Sequence, residues 1–220
     1  MDDTENIDVQ EVIRNAEAGD ADAQFTLGNL YYSGEGLKQD EVKAFHWHLK
    51  AAEGGHPMAM RTVGYCYQFG EGVKKDIAKA LAWYRKGTPL WSGCRFHLAL
   101  CLLNGTGMKK NPKQAARELE KASADNNTDA MVLLGQMHLG HFGIPRNLEQ
   151  AFHWFQKAEE LGNRDAMFQL ALCYKCGTSV EVDHDMADFW LKTAAGLGEE
   201  HAKCMLYRNM ALDTLFQTDL

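Results

Sequence analysis

No stretch of this chain approaches the roughly 20 consecutive apolar residues that a membrane-spanning helix needs. No basic segment leads into an apolar run at the N-terminus. Met1-Asp2-Asp3-Thr4-Glu5 is acidic, which argues against a secretory signal peptide. Basic residues are too few and too scattered for nucleic acid: 23 Lys and Arg stand against 30 Asp and Glu, a net charge of −7. The pairs Lys74-Lys75 and Lys109-Lys110 are too short for a phosphate-neutralising footprint. No glycine-rich phosphate loop follows a strand, and no Ser, Cys or carboxylate stands with a base at a motif-defined spacing. Cys173-x2-Cys176 lacks the second close-spaced doublet of a structural zinc site. The expectation is a non-enzymatic chain with no cofactor, no metal, no membrane and no nucleic acid. It reads as cytoplasmic unless an export leader has been removed.

What the chain has instead is one pattern written five times, at a spacing of 35 or 36 residues. The first copy reads Ala23-x3-Leu27-Gly28-x2-Tyr31-x2-Gly34-x-Gly36-Leu37-x2-Asp40-x2-Lys43-Ala44-x2-Trp47. The second follows it closely through Ala59, Gly64, Tyr67, Gly70, Gly72, Asp76, Ala80 and Trp83. The third keeps Leu98, Ala99, Gly105, Gly107, Asn111 and Ala115 but places Glu118 in the Trp slot. The fourth and fifth recover Trp154 and Trp190, with His141 and Ser179 in glycine slots. A fixed period of this length marks an array whose units bury their apolar faces by stacking.

Each unit holds two helical segments divided by a Gly-x-Gly stretch. Ala23, Leu27, Leu30 and Tyr31 recur at helical spacing, and Gly34 ends that helix because glycine tolerates the left-handed cap conformation. A second helix opens at Asp40, Asp76, Asn111, Asn147 and Asp183, all residues that cap an N-terminus. Ala44, Trp47 and Ala51 share a face of the second helix, and Trp47, Trp83, Trp154 and Trp190 are expected to hold the units together. Gly28 and Gly64 lie inside a helix at a cost of about 1 kcal/mol each, which implies that another backbone passes close by. Cys66, Cys101 and Cys173 share a slot with Leu30 and Met137, and Cys94 takes the slot of Ala23, so these four read as core rather than disulfide. Val9 to Gly19 matches only a second helix, and His201 to Thr214 only a first. The resulting fold is all-α: a capping helix in 1–19, five repeats (20–55, 56–90, 91–126, 127–162, 163–198), and a capping helix with tail in 199–220.

The pattern Ala-x3-Leu-Gly-x2-Tyr-x2-Gly-x-Gly-Val-x2-Asp-x2-Lys-Ala-x2-Trp-x2-Lys-Ala-Ala resembles the Sel-one-like repeat family, relatives of the tetratricopeptide repeats. The match covers nearly all of 19–198. The resemblance implies a right-handed α/α superhelix whose first helices line a concave groove, in proteins that mostly serve as adaptors. Some bacterial relatives staple each helix pair with disulfides; this chain has no cysteine on a second helix, so that subgroup is disfavoured.

In the tetratricopeptide register the groove positions are Phe25, Asn29, Tyr32, Arg61, Tyr65, Gln68, Phe96, Leu100, Leu103, Val132, Gln136, Leu139, Phe168, Leu172, Lys175 and Arg208. The centre of that stripe is apolar and aromatic where a solvated face would carry Lys and Glu, and such surfaces mark interaction sites. The expected function is an adaptor or scaffold holding a peptide or helix of a partner protein in the groove. The net charge suits a basic partner, although a mildly acidic protein needs none. An inhibitor or immunity protein that neutralises a toxin or enzyme competes with this reading, and an enzyme without a recognisable motif is a third class. His46, His48 and His56 read as a tolerant surface group. Thr218-Asp219-Leu220 resembles a PDZ ligand, a three-residue match that arises easily by chance.

Overall fold

The computed structural model describes residues 8–217, and every element it holds there is helical. The tail Thr218–Leu220 and the acidic start lie outside the described residues. Helix contacts divide the chain into two compact units, residues 1–111 and 112–220. The first contains α1 (Val9–Glu17), α2 (Ala21–Ser33), α3 (Glu41–Glu53), α4 (Pro57–Phe69), α5 (Ile77–Gly87) and α6 (Ser92–Asn104). The second contains α7 (Pro112–Ala124), α8 (Thr128–Gln136) with a π-turn over Met137–His141, α9 (Leu148–Glu160), α10 (Arg164–Cys176), α11 (His184–Gly196) and α12 (Glu200–Gln217). Within each unit every helix packs on its sequence neighbour, the arrangement that short connections impose on helix pairs. The pairs α2–α3, α4–α5, α8–α9 and α10–α11 are four of the repeats, α6 and α7 are the two helices that the third contributes, one to each unit, and α1 and α12 are the terminal single helices.

Capping chemistry starts these helices. The carboxylates of Asp40, Asp76 and Asp183 accept from the backbone N–H three residues on, at 3.0, 3.0 and 2.9 Å, and the Asn147 amide oxygen does so at 3.0 Å. Asp20, His56, Asn127 and Asn163 do the same for α2, α4, α8 and α10. Each such cap contributes about 1 kcal/mol. Left-handed glycines stop the first helices, as at Gly70 with φ 87°. The fourth repeat lacks that glycine because His141 holds its slot. The turn moves back one residue to Gly140, φ 99°, and the helix ends in the π-turn.

The reason for glycine inside the first helices differs from expectation. No backbone passes there; a side chain of the second helix does. A methyl on Gly64 would lie 2.5 Å from Cε1 of Tyr84, while methyls on Gly28 and Gly135 would collide with the rings of His48 and Phe155. Tyr84 and Phe155 are 0% exposed and His48 is 3% exposed. Where the second helix carries leucine instead, at Leu119 and Leu191, the corresponding slot is alanine, Ala99 and Ala171. Ring and glycine are complementary shapes within one repeat. Gly64→Ala should therefore lower stability by about 1–3 kcal/mol through overpacking, although helix propensity alone would raise it by about 1 kcal/mol. Urea denaturation reads the sign.

The tryptophans also differ from expectation. Trp47, Trp83, Trp154 and Trp190 are only half-buried, and the residue after each one is buried. Three of them are covered on their outer side by a lysine one turn on: Lys50, Lys86 and Lys157 stand 4.3, 4.6 and 5.1 Å from the ring centroids. A cation over an indole face is favourable while still partly solvated. Other core expectations match the burial pattern. Cys66, Cys94, Cys101 and Cys173 are buried free thiols, and Cys176 and Cys204 are exposed. Burial pushes the thiols of Cys94, Cys101 and Cys173 up to about 11 and that of Cys66 to about 12, so all four stay protonated and inert.

Candidate functional site

Helical spacing places Phe25, Asn29 and Tyr32 on one face of α2, and Arg61 and Tyr65 on one face of α4. In the first unit these five line a single cleft of about 270 Å³, with α3 contributing Glu41, Phe45 and His48, and Glu71 closing the loop end. Tyr32, Glu41 and Glu71 belong to the end next to the loops, and Phe25 and Arg61 to the other. The eight residue-to-residue steps from Arg61 to Phe69 span about 12 Å at 1.5 Å each.

Rings make up much of the wall. Phe25 stacks on His56 with centroids 4.5 Å apart and reaches His48 at 5.4 Å. Tyr65 meets Phe69 at 4.5 Å and His97 at 6.3 Å. Tyr32 is 50% exposed and Phe69 is 54% exposed. The negative charge of Glu71 beside Tyr32, aided by burial, raises the phenol above its usual range. At the opposite end the Arg61 guanidinium carbon lies 5.4 Å over the Trp91 ring. Its Nε is buried with no hydrogen-bond partner among the described residues.

Some positions assigned to the groove do other work. Asn29 Oδ1 accepts from Nε2 of His48 at 3.1 Å, and Gln68 Oε1 accepts from the Tyr84 hydroxyl at 2.9 Å. Both orient a ring of the second helix. Leu103 and Val132 are buried, at 9% and 8% exposure, and offer little surface to a partner. Val132 belongs to the core around Phe155 and Leu170, because its position on α8 faces α9 and α10 rather than solvent. Leu139 packs against the same core, half-buried. Phe96, Leu100 and Leu172 are half-buried, and Lys175 and Arg208 are exposed.

The histidines correct a second expectation. His46 is exposed, but His48 and His56 are buried. His56 caps α4 by accepting from Ala59 N–H through Nδ1 at 3.1 Å, which places its proton on Nε2, 3.4 Å from Asp22 Oδ1. The missed signal was register: His56 occupies the first-helix cap slot held elsewhere by Asp20, Asn127 and Asn163.

In the second unit Val132, Gln136 and Phe168 border a shallower depression of about 520 Å³. Its polar rim is Arg164, Asp165, Glu199, Glu200 and His201. Phe168 stacks on His201 at 5.9 Å. Burial works against the Glu199 carboxylate, but hydrogen bonds from His201 and the Ala202 N–H outweigh it and hold the acid below its usual range. Glu199 is thereby fixed as the cap of α12. Among the described residues no three His, Cys, Asp or Glu are placed to hold a metal ion, Cys173 and Cys176 included, and no helix is long and apolar enough to cross a membrane.

A family model described as Sel1 repeat matches residues 21–56, 57–88, 93–127, 128–163 and 164–199. Comparison with curated proteins found no match. Among solved structures, a protective antigen of uropathogenic Escherichia coli with an SLR fold is 28% identical with a TM-score of 0.77. The alignment covers 90% of this chain and 42% of that one, so this chain spans less than half of the antigen's length. A Sel1 repeat protein from Oxalobacter formigenes is 26% identical, with a TM-score of 0.78 and coverage of 89% and 86%. An immunity protein of Pseudomonas aeruginosa aligns at 24% identity and a TM-score of 0.61, covering 83% of this chain and 67% of its own. That last likeness carries the fold alone.

Proposed function

The chain belongs to the Sel1 repeat family, whose members generally mediate protein–protein contacts and are typically non-enzymatic scaffolds, and from that premise we propose that it is an adaptor gripping a segment of one partner protein along its first-helix face. The cleft between the first two repeats supports this reading most directly. Aromatic side chains of two successive first helices converge there on open space, and Tyr32 keeps half of its surface in water. Leaving such rings uncovered has no folding advantage, since burial of apolar area is what stabilises a fold. Aromatic anchors held by packed neighbours bind with little loss of side-chain freedom. The helix pairs fix those neighbours: Asn29 holds His48, Gln68 holds Tyr84, and Trp91 underlies Arg61.

Capture of partners by immobilised wild-type protein, beside a Tyr65→Ala/Phe96→Ala variant, tests the reading. Both residues are half-buried rather than core, so the variant should keep the helical signal and a cooperative melt. It should lose the partners that the wild type retains. Equal retention by both proteins would move the binding face away from these helices.

A further inference from the structure

The cleft of the first two repeats is polarised along its length. At the loop end two carboxylates, Glu41 and Glu71, come from different helix pairs, α3 at its first residue and the turn after α4. Neither forms an ion pair with any described Lys, Arg or His. Arg61, the cation of the cleft, lies toward the far end, over Trp91. Tyr32 stands with the two carboxylates and Tyr65 between the two ends, and the ring faces of both attract cations. Two carboxylates and two phenol rings around a space of about 270 Å³ leave an unmatched negative site, with walls that would accept an aliphatic stem.

We propose that this cleft receives one basic side chain of the partner, arginine or lysine, whose cation lies between Glu41 and Glu71 against the Tyr32 ring. The stem of that side chain runs along Tyr65 toward Phe25. Arg61, which lines the cleft, excludes a cation from the inner end, so only one orientation is favourable, and its guanidinium charge attracts a main-chain carbonyl or carboxylate there. A lysine or arginine presented by an extended segment supplies both groups: cation at the tip, carbonyl at the base. An acidic side chain would meet Glu71 and Glu41 at the mouth before it could reach Arg61. The inference rests on the adaptor reading and gives the chemistry of the segment bound.

Nuclear magnetic resonance on the full chain tests it with capped tripeptides as probes: acetyl-Gly-Arg-Gly-amide, the same peptide with citrulline for arginine, and the same with glutamate. The arginine probe should cause saturable shifts at the amides of Tyr32, Tyr65 and Glu71. Citrulline keeps the shape and removes the charge, so it should bind about tenfold more weakly or less, the loss expected for a charge-assisted hydrogen bond. A Glu41→Gln/Glu71→Gln variant should reduce the arginine affinity by a similar factor and leave the citrulline affinity unchanged. Glu41 is exposed at the start of α3 and Glu71 half-buried in the turn after α4, and neither is part of a core, so the fold should persist. If that variant fails to fold, the arginine–citrulline comparison on wild type still decides. Equal shifts with citrulline, a preference for glutamate, or no cleft shifts with arginine would each overturn the proposal. Should the tripeptides fail while partner capture still depends on Tyr65 and Phe96, the adaptor reading stands and only the basic-side-chain chemistry falls.

Discussion

Phe155→Ala should cost about 3–5 kcal/mol of unfolding free energy, while Trp154→Ala, one residue away and bearing the larger ring, should cost less than half as much. Phe155 is 0% exposed and its ring fills the space left by Gly135. Ala151, Ala158 and Leu170 enclose it in one core cluster. Truncation there leaves a cavity that the surrounding helices cannot close. Trp154 packs only partly on this cluster and shares its outer face with Lys157, 5.1 Å from the ring. Removing it exposes a shallow surface that water can fill, and the loss is limited to the area once covered. The same contrast should hold in the first unit for Tyr84→Ala against Trp83→Ala. Chemical denaturation of the four variants measures all these differences. A Trp154 variant as damaged as the Phe155 variant would mean that the indoles, rather than the residues after them, lock the helix pairs.

That ordering was within reach of the sequence. The period, the Asp and Asn caps and the glycine stops specify helix pairs because each follows from local backbone chemistry. Residues such as Asp40 and Gly70 announce their role without reference to any neighbour. The lock between the helices of a pair depends instead on two positions about 20 residues apart. Gly with His48, Tyr84 or Phe155, and Ala with Leu119 or Leu191, form a correlation that is visible once the five repeats are aligned. Recurrence of tryptophan draws attention to the wrong residue, because a half-buried ring recurs as readily as a buried one.

The candidate site was legible as a stripe and not as a cleft. Register placed Phe25, Tyr32, Arg61 and Tyr65 on facing helices, and the structure brings them together. It could not reveal that Glu41 and Glu71 join them, since neither lies on the groove face of a first helix. Leu103 and Val132 also fell outside what register can show: identical register positions differ in burial, Leu103 at 9% exposure against 50% for Tyr32. His48 was the hardest to read. A histidine in a slot that other repeats fill with Tyr, Phe or Leu is an apolar-core residue with a titratable ring.

Mild acid should unfold the first unit, and two buried histidines set the window. Burial holds His48 down at about 4, helped by its neighbours His56 and Arg61. Burial likewise holds His97, whose ring stacks 5.3 Å from Tyr84, at about 4, with Arg61 adding to it. The contact to Asn29 requires the proton of neutral His48 to sit on Nε2, and its Nδ1 is buried without a partner, so a second proton would have no acceptor. In the unfolded chain both histidines return to about 6.5. Between those values the unfolded state binds more protons than the folded state, so stability rises with pH there. The contribution is complete above about pH 6.5 and is lost as pH falls toward about 4, at about 1.4 kcal/mol per pH unit for each histidine. Together the two remove about 6 kcal/mol, comparable with the whole stability of many domains. His48→Phe reproduces the Phe155–Gly135 pairing against Gly28, and His97→Gln places there the residue that Gln169 supplies in the fifth repeat. The double variant should keep its midpoint nearly constant from pH 7 to pH 5 (roughly the upper part of the histidine window) while the wild type falls steeply. Parallel decline of the two proteins would assign the acid sensitivity to groups other than these rings.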